Sequence, residues 1–312
     1  MIAPASQAFS AADAGRIVPV PAWRDFLARL IRPLGPVRGS ARLKRLIVPG
    51  AFCRHVAFEI CRYPAAFGVS AKWQGSGATF LGWNVIYCGW HEIETLGVMA
   101  HFLTPGMRVI EVGSNEGYHT MFAAACVGST GRVTAYEPSP RERNRLIANV
   151  ALNDFEDRVI VRDSALSDFC GDSSFLTPLD DEWNKGVGSL AEHYQSAEKV
   201  SSIQVRVATI DSEQPGDCEF IKLDVQGAEA SVLRGAVALL KRCEPVVYFE
   251  VEGDELGAVE FLEGLGYKVW RVHWARRRPY YRLSTNISYA RRQVSLNCLA
   301  LPKHEMHTVR AV

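Results

Sequence analysis

The stretch Glu111-Val112-Gly113-Ser114-Asn115-Glu116-Gly117 decides the fold of this 312-residue chain. It ends an apolar run and leads into a segment with apolar residues at helical spacing. Glycines at 113 and 117 allow a sharp turn and let the backbone approach a ligand closely. A helix that begins at such a turn points its free N–H groups and its positive dipole end at that ligand. The stretch therefore predicts a ligand site, although such turns also serve only to join a strand to a helix.

Strands and helices alternate around this turn. The pattern predicts strands at residues 108–112, 132–136, 158–162, 220–225, 245–250, 268–273 and 294–301. It predicts helices at residues 93–103, from 117 onward, and at 140–152, 228–240 and 255–265. Strands separated by helices imply a mostly parallel sheet covered on both faces, with the last two strands as an antiparallel edge. The predicted fold class is α/β, a doubly wound Rossmann-like sheet.

Two regions depart from this alternation. Residues 1–90 are predicted as an N-terminal extension, with short basic helices interrupted by Pro33 and Pro36, and then a β-hairpin. The hairpin strands are expected at residues 71–74 and 79–81, with a further strand at 85–88. Residues 91–312 are predicted to form the main domain. The basic helices are interpreted as a cap with a solvated face, with a surface for a membrane or an anionic partner as the alternative.

An insertion near residues 170–204 separates the third and fourth core strands. It shows no clear periodicity, and it contains Asp180-Asp181-Glu182-Trp183 and Gly186-Val187-Gly188-Ser189. Long loops of this kind are often functional lids, and a disordered excursion is the alternative.

Composition narrows the class of protein. The net charge of +1 argues against a design for binding polyanions, so no nucleic-acid partner is expected. No apolar run approaches the roughly 20 residues needed to cross a bilayer, and the first residues do not resemble a secretory signal. The eight cysteines form no C-x-x-C pair, so a zinc site is not expected. A reduced, cytoplasmic protein is the simplest interpretation.

The second and third strands end in residues suited to a nucleoside. Glu137 follows the second strand, 20 positions after Gly117. A carboxylate at that strand end accepts hydrogen bonds from both hydroxyls of a ribose, and a merely exposed glutamate is the alternative. Ser164 and Ala165 follow the third strand and are expected to face an adenine edge.

Acidic residues follow the fourth and fifth strands. Asp224 ends the fourth strand, Glu229 lies on the first turn of the next helix, and Glu250 ends the fifth strand. Such carboxylates could bind a divalent metal such as Mg²⁺ through Asp224 and Glu250, or act as a base. The alternative is a polar network around a bound cofactor.

These separated segments resemble the FkbM family of S-adenosylmethionine-dependent methyltransferases. The resemblance is carried by Gly113-Ser114-Asn115-Glu116-Gly117-Tyr118, Tyr136-Glu137-Pro138-Ser139-Pro140, Ile221-Lys222-Leu223-Asp224-Val225-Gln226-Gly227-Ala228-Glu229, Val232-Leu233-Arg234-Gly235-Ala236 and Glu250. It covers roughly residues 85–275. It implies a class I methyltransferase fold and O-methylation of a hydroxyl group on a sugar or a specialised metabolite.

The resemblance also implies roles for individual residues. The cofactor-binding set is Glu111, Gly113, Ser114, Asn115 and Gly117 around the methionine part, Glu137 at the ribose, Ser164 and Ala165 at the adenine, and Asp224. Asp224 and Glu229 would border the methyl-transfer site. The chain departs from the family at Ser114 and Glu116, where Ala and a hydrophobic residue are common. It also has Gln226 where Glu is common, which puts any base or metal role at that position in doubt.

A hydroxyl group is a poor nucleophile at neutral pH, so a base near it helps the transfer. The candidate catalytic residues are Asp224, Glu229 and His119, and a packed or cofactor-contacting role is the alternative for His119. His273 could also reach an acceptor. The basic residues within 276–282 and 291–292 suit a nucleotide sugar, a phosphorylated lipid or an acidic glycan, with an exposed loop as the alternative.

Two other functions use the same scaffold. A dinucleotide-dependent oxidoreductase should carry G-x-G-x-x-G after the first strand, and this chain has G-x-x-x-G instead. A non-catalytic protein that binds a nucleotide or a glycan is the second alternative, because fold does not determine activity. The identity of the acceptor, a small molecule or a glycan, and the oligomeric state do not follow from the sequence.

Overall fold

The computed structural model describes residues 59–178, 188–193, 200–251, 256–275, 281–285 and 296–308, together with six helical positions, Trp23, Phe26, Leu27, Leu30, Leu46 and Ile47. The other residues of the predicted basic cap lie outside the described residues, as do Asp180 to Val187 of the insertion and the arginines at 276–278, 291 and 292. Within the described part of the chain, no helix is both long and apolar enough to cross a membrane.

The strands are β1 (Glu59–Arg62), β2 (Lys72–Gly75), β3 (Arg108–Val112), β4 (Arg132–Tyr136), β5 (Val159–Arg162), β6 (Ala165–Leu166), β7 (Gly171–Pro178), β8 (Ser189–Leu190), β9 (Val200–Ala208), β10 (Phe220–Leu223), β11 (Val246–Val251), β12 (Lys268–Trp274), β13 (Tyr281–Ser284) and β14 (Leu296–Leu301). The helices are α1 (Phe80–Trp83), α2 (Ile93–Phe102), α3 (Tyr118–Val127), α4 (Pro140–Leu152), α5 (Ile210–Glu213), α6 (Glu229–Arg234), α7 (Val237–Cys243) and α8 (Gly257–Gly264). Shorter turns are the π-helical segment Asn84–Cys88 and the 3-10 segments Ala65–Phe67 and Lys303–Thr308.

The central sheet has eight strands in the order β13-β12-β14-β11-β10-β3-β4-β5. β3, β4, β5, β10 and β11 are parallel to their neighbours within this group. All four residues of β10 are buried, as expected for a strand covered by helices on both faces. The order of the strands reverses between β3 and β10, which is where ligands bind in open parallel sheets. The predicted α/β fold class is confirmed.

The antiparallel end of the sheet differs in detail from the prediction. β12 and β14 pair antiparallel, as expected, but β14 lies between β11 and β12 and is therefore an interior strand. The edge strand is β13, which pairs with β12 and was not predicted. A sequence pattern does not predict which strand lies between two others. That order depends on how the connections cross the sheet.

Apolar side chains cover both faces of the sheet. One core packs α2, α3 and α4 against the sheet through residues such as Leu96, Phe122 and Leu146. The other packs α6, α7 and α8 through residues such as Val232, Leu239 and Leu262. Helices therefore cover both faces of the sheet. The C-terminal ends of the parallel strands stay uncovered along one edge of the sheet, and the pocket lies there.

The predicted strands at 79–81 and 85–88 are wrong, because these residues form α1 and the π-helical segment. The Thr79 hydroxyl caps α1 by accepting a hydrogen bond from the Gly82 N–H. Trp83 and Ile86 are fully buried in the first core. Tertiary packing therefore outweighs the strand preference of these aromatic and β-branched residues. β2 pairs instead with β1, a strand within the segment that was predicted to be helical.

The insertion is also more regular than predicted. In its described part it forms a four-stranded sheet in the order β6-β9-β7-β8. β7 and β9 pair antiparallel from Gly171 with Val207 to Pro178 with Val200. Phe175, Leu190 and Val205 form its small core. The sequence of β9 does contain the alternating pattern of a strand, because Ile203, Val205 and Val207 alternate with polar residues.

Asn149 of α4 fastens the β1–β2 ribbon to the main domain. Its Oδ1 accepts a hydrogen bond from the Gln74 N–H at 2.7 Å, and its Nδ2 donates to the Gln74 carbonyl at 3.0 Å. The same Nδ2 donates to the Glu116 carbonyl at 2.8 Å, in the Gly-rich turn. One buried amide therefore joins the ribbon, α4 and the turn.

We expect Asn149→Ala to lower the free energy of unfolding by about 1–3 kcal/mol, because the partly buried N–H and carbonyl of Gln74 lose their side-chain partner and the Glu116 carbonyl keeps only the Trp73 Nε1–H. Urea unfolding followed by circular dichroism measures this change. Ile147→Ala is the matched control on the same helix, where the side chain is 49% exposed. That control should change the free energy of unfolding by less than about 0.5 kcal/mol. Equal effects of the two substitutions would contradict the role assigned to Asn149.

Candidate functional site

The Gly-rich turn follows β3 and packs directly against the end of β10. Gly113 has a φ of 80°, and a Cβ at this position would lie 1.9 Å from the Asp224 carbonyl oxygen. The N–H groups of Gly113 and Ser114 both donate to the Tyr136 carbonyl at 3.1 Å, which ties the turn to β4. Gly117 has a φ of 82°, and a Cβ there would clash with Leu146 of α4. The two glycines are thus required by sterics as well as by backbone conformation.

A pocket opens beside this turn at the C-terminal ends of β3, β4 and β10. It holds about 710 Å³ of empty space, including its open mouth. Its lining contains six of the predicted cofactor-binding residues: Gly113, Asn115, Glu137, Ser164, Ala165 and Asp224. The structure therefore brings residues from four separate segments of the chain to one cavity.

The other three predicted cofactor residues support the turn without lining the pocket. Gly117 faces α4, and the Ser114 hydroxyl donates to the Glu111 carbonyl at 3.3 Å. The Glu111 carboxylate is buried, and it accepts a hydrogen bond from the Thr120 hydroxyl at 2.6 Å. Glu116, one of the departures from the family, is buried and forms an ion pair with Arg145 of α4.

Glu137 is fixed at the end of β4 by two backbone donors. Its Oε2 accepts from the Asn115 N–H at 2.7 Å, and its Oε1 accepts from the Ser139 N–H at 2.9 Å. The residue is 6% exposed. Burial, with the nearby Glu142 carboxylate, raises the pKa of Glu137 to about 8. A carboxylate has about four acceptor positions, so two backbone bonds leave room for two hydroxyl donors from the pocket.

Asp224 borders the pocket and is paired with a buried lysine. The Lys222 Nζ lies 3.1 Å from the Asp224 Oδ2 and 3.7 Å from the Glu111 Oε1. Lys222 is 2% exposed; burial opposes its charge, but neighbouring carboxylates raise the pKa of Lys222 above its usual value. The Gln226 amide also reaches Asp224, with its Nε2 3.4 Å from the Oδ1. Sequence analysis missed Lys222, because a lysine inside an apolar strand gives no sign of its partners.

Glu229 and Glu250 are placed away from this pocket. The Glu229 Oε1 accepts a hydrogen bond from the Val225 N–H at 3.0 Å, which closes the 225–228 loop. Both glutamates line a second void of about 700 Å³ that does not include Asp224. Among the described residues, no group of three or more His, Cys, Asp or Glu side chains is arranged to hold a metal ion. The magnesium site at Asp224 and Glu250 remains a prediction.

His119 lies behind the turn, next to a glutamate that sequence analysis did not single out. The His119 Nε2 is 3.6 Å from the Glu92 Oε2, and the His91 Nε2 is 3.2 Å from the Glu92 Oε1. Burial and the charge of Lys222 hold the pKa of His119 well below its usual value, so its ring is uncharged at neutral pH. His273, the other predicted histidine, contacts Ser284 on the edge strand β13 and does not line the pocket.

The inserted sheet forms one wall of the pocket. Phe175, Thr177, Gly188, Ser189 and Leu190 all face it. The Ser189 hydroxyl lies 3.4 Å from the Gln226 carbonyl, on the loop that follows β10. A Cβ at Gly188 would lie 2.4 Å from the Phe175 ring, so the wall packs tightly. The insertion therefore forms part of the pocket, and its role as a lid stays a prediction.

The buried Glu137 predicts a pH-dependent stability. Its pKa is about 8 in the folded chain, against an ordinary value of 4.5. Between these values the native state holds a proton that the unfolded state has released, so stability falls as pH rises, by up to about 1.4 kcal/mol per pH unit. Urea unfolding at pH 5.5, 6.5 and 7.5 should show this slope. In Glu137→Gln the slope should be smaller, and parallel profiles for the two proteins would contradict the assignment.

Comparisons with known proteins agree with this geometry. The methyltransferase FkbM domain matches residues 111–269. Protein-L-isoaspartate O-methyltransferase 1 of Arabidopsis thaliana is 29% identical over 137 residues, which are 44% of this chain and 54% of that protein. This chain thus spans about half the length of the curated relative it matches.

Solved structures with a similar fold include two methyltransferases. The methyltransferase FkbM of Methylobacillus flagellatus gives a TM-score of 0.41 at 15% identity, over 70% of this chain and 52% of that one. An S-adenosylmethionine-dependent O-methyltransferase of Thermotoga maritima gives 0.39 at 14% identity, over 68% of this chain and 65% of that one. These scores are low, so the assignment rests on the domain match.

The matched segment begins at Glu111, extends into β12 and contains 159 of the 312 residues, from 111 to 269 inclusive. It includes the Gly-rich turn, Glu137, Asp224 and the inserted sheet, which together form the pocket. The chain therefore belongs to the methyltransferase FkbM domain family, as the resemblance implied.

Proposed function

We propose that this chain is an S-adenosylmethionine-dependent O-methyltransferase. The observation that carries the proposal is Glu137, which is buried at the rim of the pocket and fixed by Asn115, with acceptor positions left for two ribose hydroxyls. Ser164, Ala165 and the inserted sheet offer a surface for the adenine. Gly113 lets the cofactor approach the backbone next to Asp224. The residues that line the pocket therefore fit S-adenosylmethionine.

The residues of the pocket can align two reactants. When bound, S-adenosylmethionine supplies a methyl group on a sulfonium, which transfers by in-line displacement. Glu137 orients the nucleoside end, and Phe175 and Leu190 exclude water from the opposite wall. Holding the acceptor oxygen in line with the methyl group is the main contribution expected of such a site.

We propose Asp224 as the group that accepts the proton of the acceptor hydroxyl. Of the three candidates, Asp224 alone lines the pocket in the described part of the chain. Glu229 is engaged with the backbone of the 225–228 loop, and the lowered pKa of His119 makes its ring a weak base. The Lys222 Nζ lies 3.1 Å from the Asp224 Oδ2 and holds that carboxyl group at the edge of the pocket.

For the acceptor we propose a hydroxyl group of a sugar or a specialised metabolite, as a small molecule or within a glycan. The resemblance to the family supports this class. The arginines within 276–282 and 291–292 support an anionic acceptor such as a nucleotide sugar or a phosphorylated or acidic glycan. The seven described cysteines are free, which supports a reducing, cytoplasmic setting.

Removal of the Glu137 carboxylate tests the cofactor site. We expect Glu137→Ala to weaken binding of S-adenosylhomocysteine by about 10- to 100-fold, because the buried hydrogen bonds of this carboxyl group to the ribose hydroxyls are lost. Isothermal titration calorimetry with the purified chain measures this change. Glu219→Ala is the matched control, since this carboxylate lies just before β10, at the opposite end of the strand from the pocket, and is bound to the Arg108 N–H. Unchanged affinity in Glu137→Ala, or tight binding of NAD in place of S-adenosylhomocysteine, would contradict the proposal.

A screen with a labelled methyl donor tests the reaction. The panel contains sugars, nucleotide sugars, acidic glycans and phenolic metabolites, each with and without a chelator. It also contains an isoaspartyl peptide, the substrate that the name of the Arabidopsis relative indicates. We expect a methyl ether on a hydroxyl compound, and its loss in Asp224→Asn with cofactor binding retained. Cofactor binding without transfer to any member of the panel would favour a non-catalytic binding protein.

A further inference from the structure

The N-terminal extension carries exposed apolar side chains that the proposed reaction does not use. Trp23, Phe26, Leu27 and Leu30 all lie at helical positions. Residues at this spacing of i, i+3, i+4 and i+7 share one face of a helix. Their side chains are 59, 64, 37 and 62% exposed, respectively. These four residues therefore form an exposed apolar stripe.

The extension is joined to the main domain close to Leu46 and Ile47. Both residues lie at helical positions. Ile47 is partly buried and packs against the first core, whereas the side chain of Leu46 is 75% exposed. The chain is thus attached to the body of the protein at Ile47, while the described apolar residues before it stay exposed.

Positive charge is concentrated in the same segment. Residues 23–47 contain one acidic residue, Asp25, and seven basic residues, namely Arg24, Arg29, Arg32, Arg38, Arg42, Lys44 and Arg45. Their net charge is therefore +6, seven minus one. The whole chain has a net charge of +1, so the other residues together carry −5. The segment that holds the apolar stripe is thus basic within a chain that is otherwise acidic.

An exposed apolar stripe within a basic segment fits the surface of an anionic bilayer. Apolar side chains enter the boundary between the headgroups and the acyl chains, and Lys and Arg are attracted to anionic headgroups. Tryptophan is enriched at this depth, because its ring is amphipathic. The segment contains Trp23 and seven basic residues, so both kinds of attraction are available.

Other partners fit these observations less well. A second copy of this chain would bring two segments of charge +6 together, and like charges repel. A nucleic acid would bind the basic residues through its phosphates, but this attraction makes no use of the apolar stripe. A cap folded onto the main domain would bury the stripe, whereas its four side chains are exposed.

We propose that residues 23–47 dock this chain on an anionic phospholipid membrane. The apolar stripe enters the interface, and the basic residues of the segment attract the headgroups. The chain then lies on the membrane surface and does not cross it. This inference goes beyond the proposed function and does not depend on it, because none of the described residues of the segment lines the pocket.

Sedimentation with vesicles tests the docking. The full chain is mixed with vesicles of phosphatidylcholine alone, and with vesicles of phosphatidylcholine and phosphatidylglycerol in equal amounts. We expect at least about tenfold stronger binding to the mixed vesicles, because each basic residue near an anionic surface adds to the attraction. Added salt should weaken this binding, since it screens exposed charges.

A variant with Phe26→Ser and Leu30→Ser tests the apolar stripe. It should bind the mixed vesicles at least about tenfold more weakly, because two large apolar side chains no longer leave water. Its melting temperature should be retained, which separates docking from folding. The matched control combines Ile60→Ser and Ile147→Ser, whose side chains are 55% and 49% exposed outside the segment. This control should bind the vesicles as the wild-type chain does.

A variant with Lys44→Glu and Arg45→Glu tests the charge. It should also bind the mixed vesicles at least about tenfold more weakly, because two attractive charges become repulsive. The matched control combines Lys241→Glu and Lys303→Glu, which reverses two exposed lysines outside the segment. It makes the same change to the net charge of the chain and should retain vesicle binding.

Each outcome supports or overturns the docking. Salt-sensitive binding to the mixed vesicles, weakened in both N-terminal variants and kept in both controls, would support it. Equal binding to the two kinds of vesicle, or binding that the N-terminal variants keep, would overturn it. A dimer without lipid that dissociates in the Phe26 and Leu30 variant would assign the stripe to a second copy instead. Binding to duplex DNA without binding to the mixed vesicles would assign the segment to a nucleic acid.

Discussion

The close contact between Gly113 and the Asp224 carbonyl is the constraint on which the rest of the site depends. Any side chain at position 113 would begin 1.9 Å from that oxygen, so the turn after β3 and the end of β10 can meet only at a glycine. The contact brings together the two strands between which the strand order reverses. The pocket opens on the same turn, next to Glu137 of β4. One missing Cβ therefore determines where the pocket lies.

The buried ammonium group of Lys222 lies beside this contact and pairs with the acidic side chains around it. Lys222 interacts with Asp224 and Glu111, and it lies close enough to Glu92 to lower the pKa of that carboxyl. Burying charges is costly unless they are paired, and the removal of one partner of a buried pair is more damaging than the pair is stabilising. Lys222 thus allows several acidic side chains to lie close together at the rim of the pocket. Their number would otherwise make the rim unstable or drive them to take up protons.

Much of the fold followed from hydrophobic periodicity, and the failures have physical causes. The strands β3, β4, β5 and β10 were placed correctly because buried parallel strands are short apolar runs between helices. Residues 79–88 were mistaken for strands because Val85 and Ile86 favour strands, whereas burial in the first core holds them in helical turns. The inserted sheet was missed in β7, where polar residues cover most of the strand. Its partner β9 carried an alternating pattern that short windows can detect.

For the site, sequence by itself determined the residues whose neighbours along the chain reveal them. The glycines of the turn, Glu137 after β4 and Asp224 after β10 each follow an apolar strand, and the ends of parallel strands meet at one rim. Tertiary structure alone decided the partners of these residues. Glu92 and Lys222 lie far apart in the chain, and their charges act on one another only because the start of α2 meets β11 beside Lys222, where Thr95 bonds to Tyr248. Burial and electrostatic interaction depend on distance in space, so no local pattern could show that Glu229 braces a loop or that His119 is uncharged.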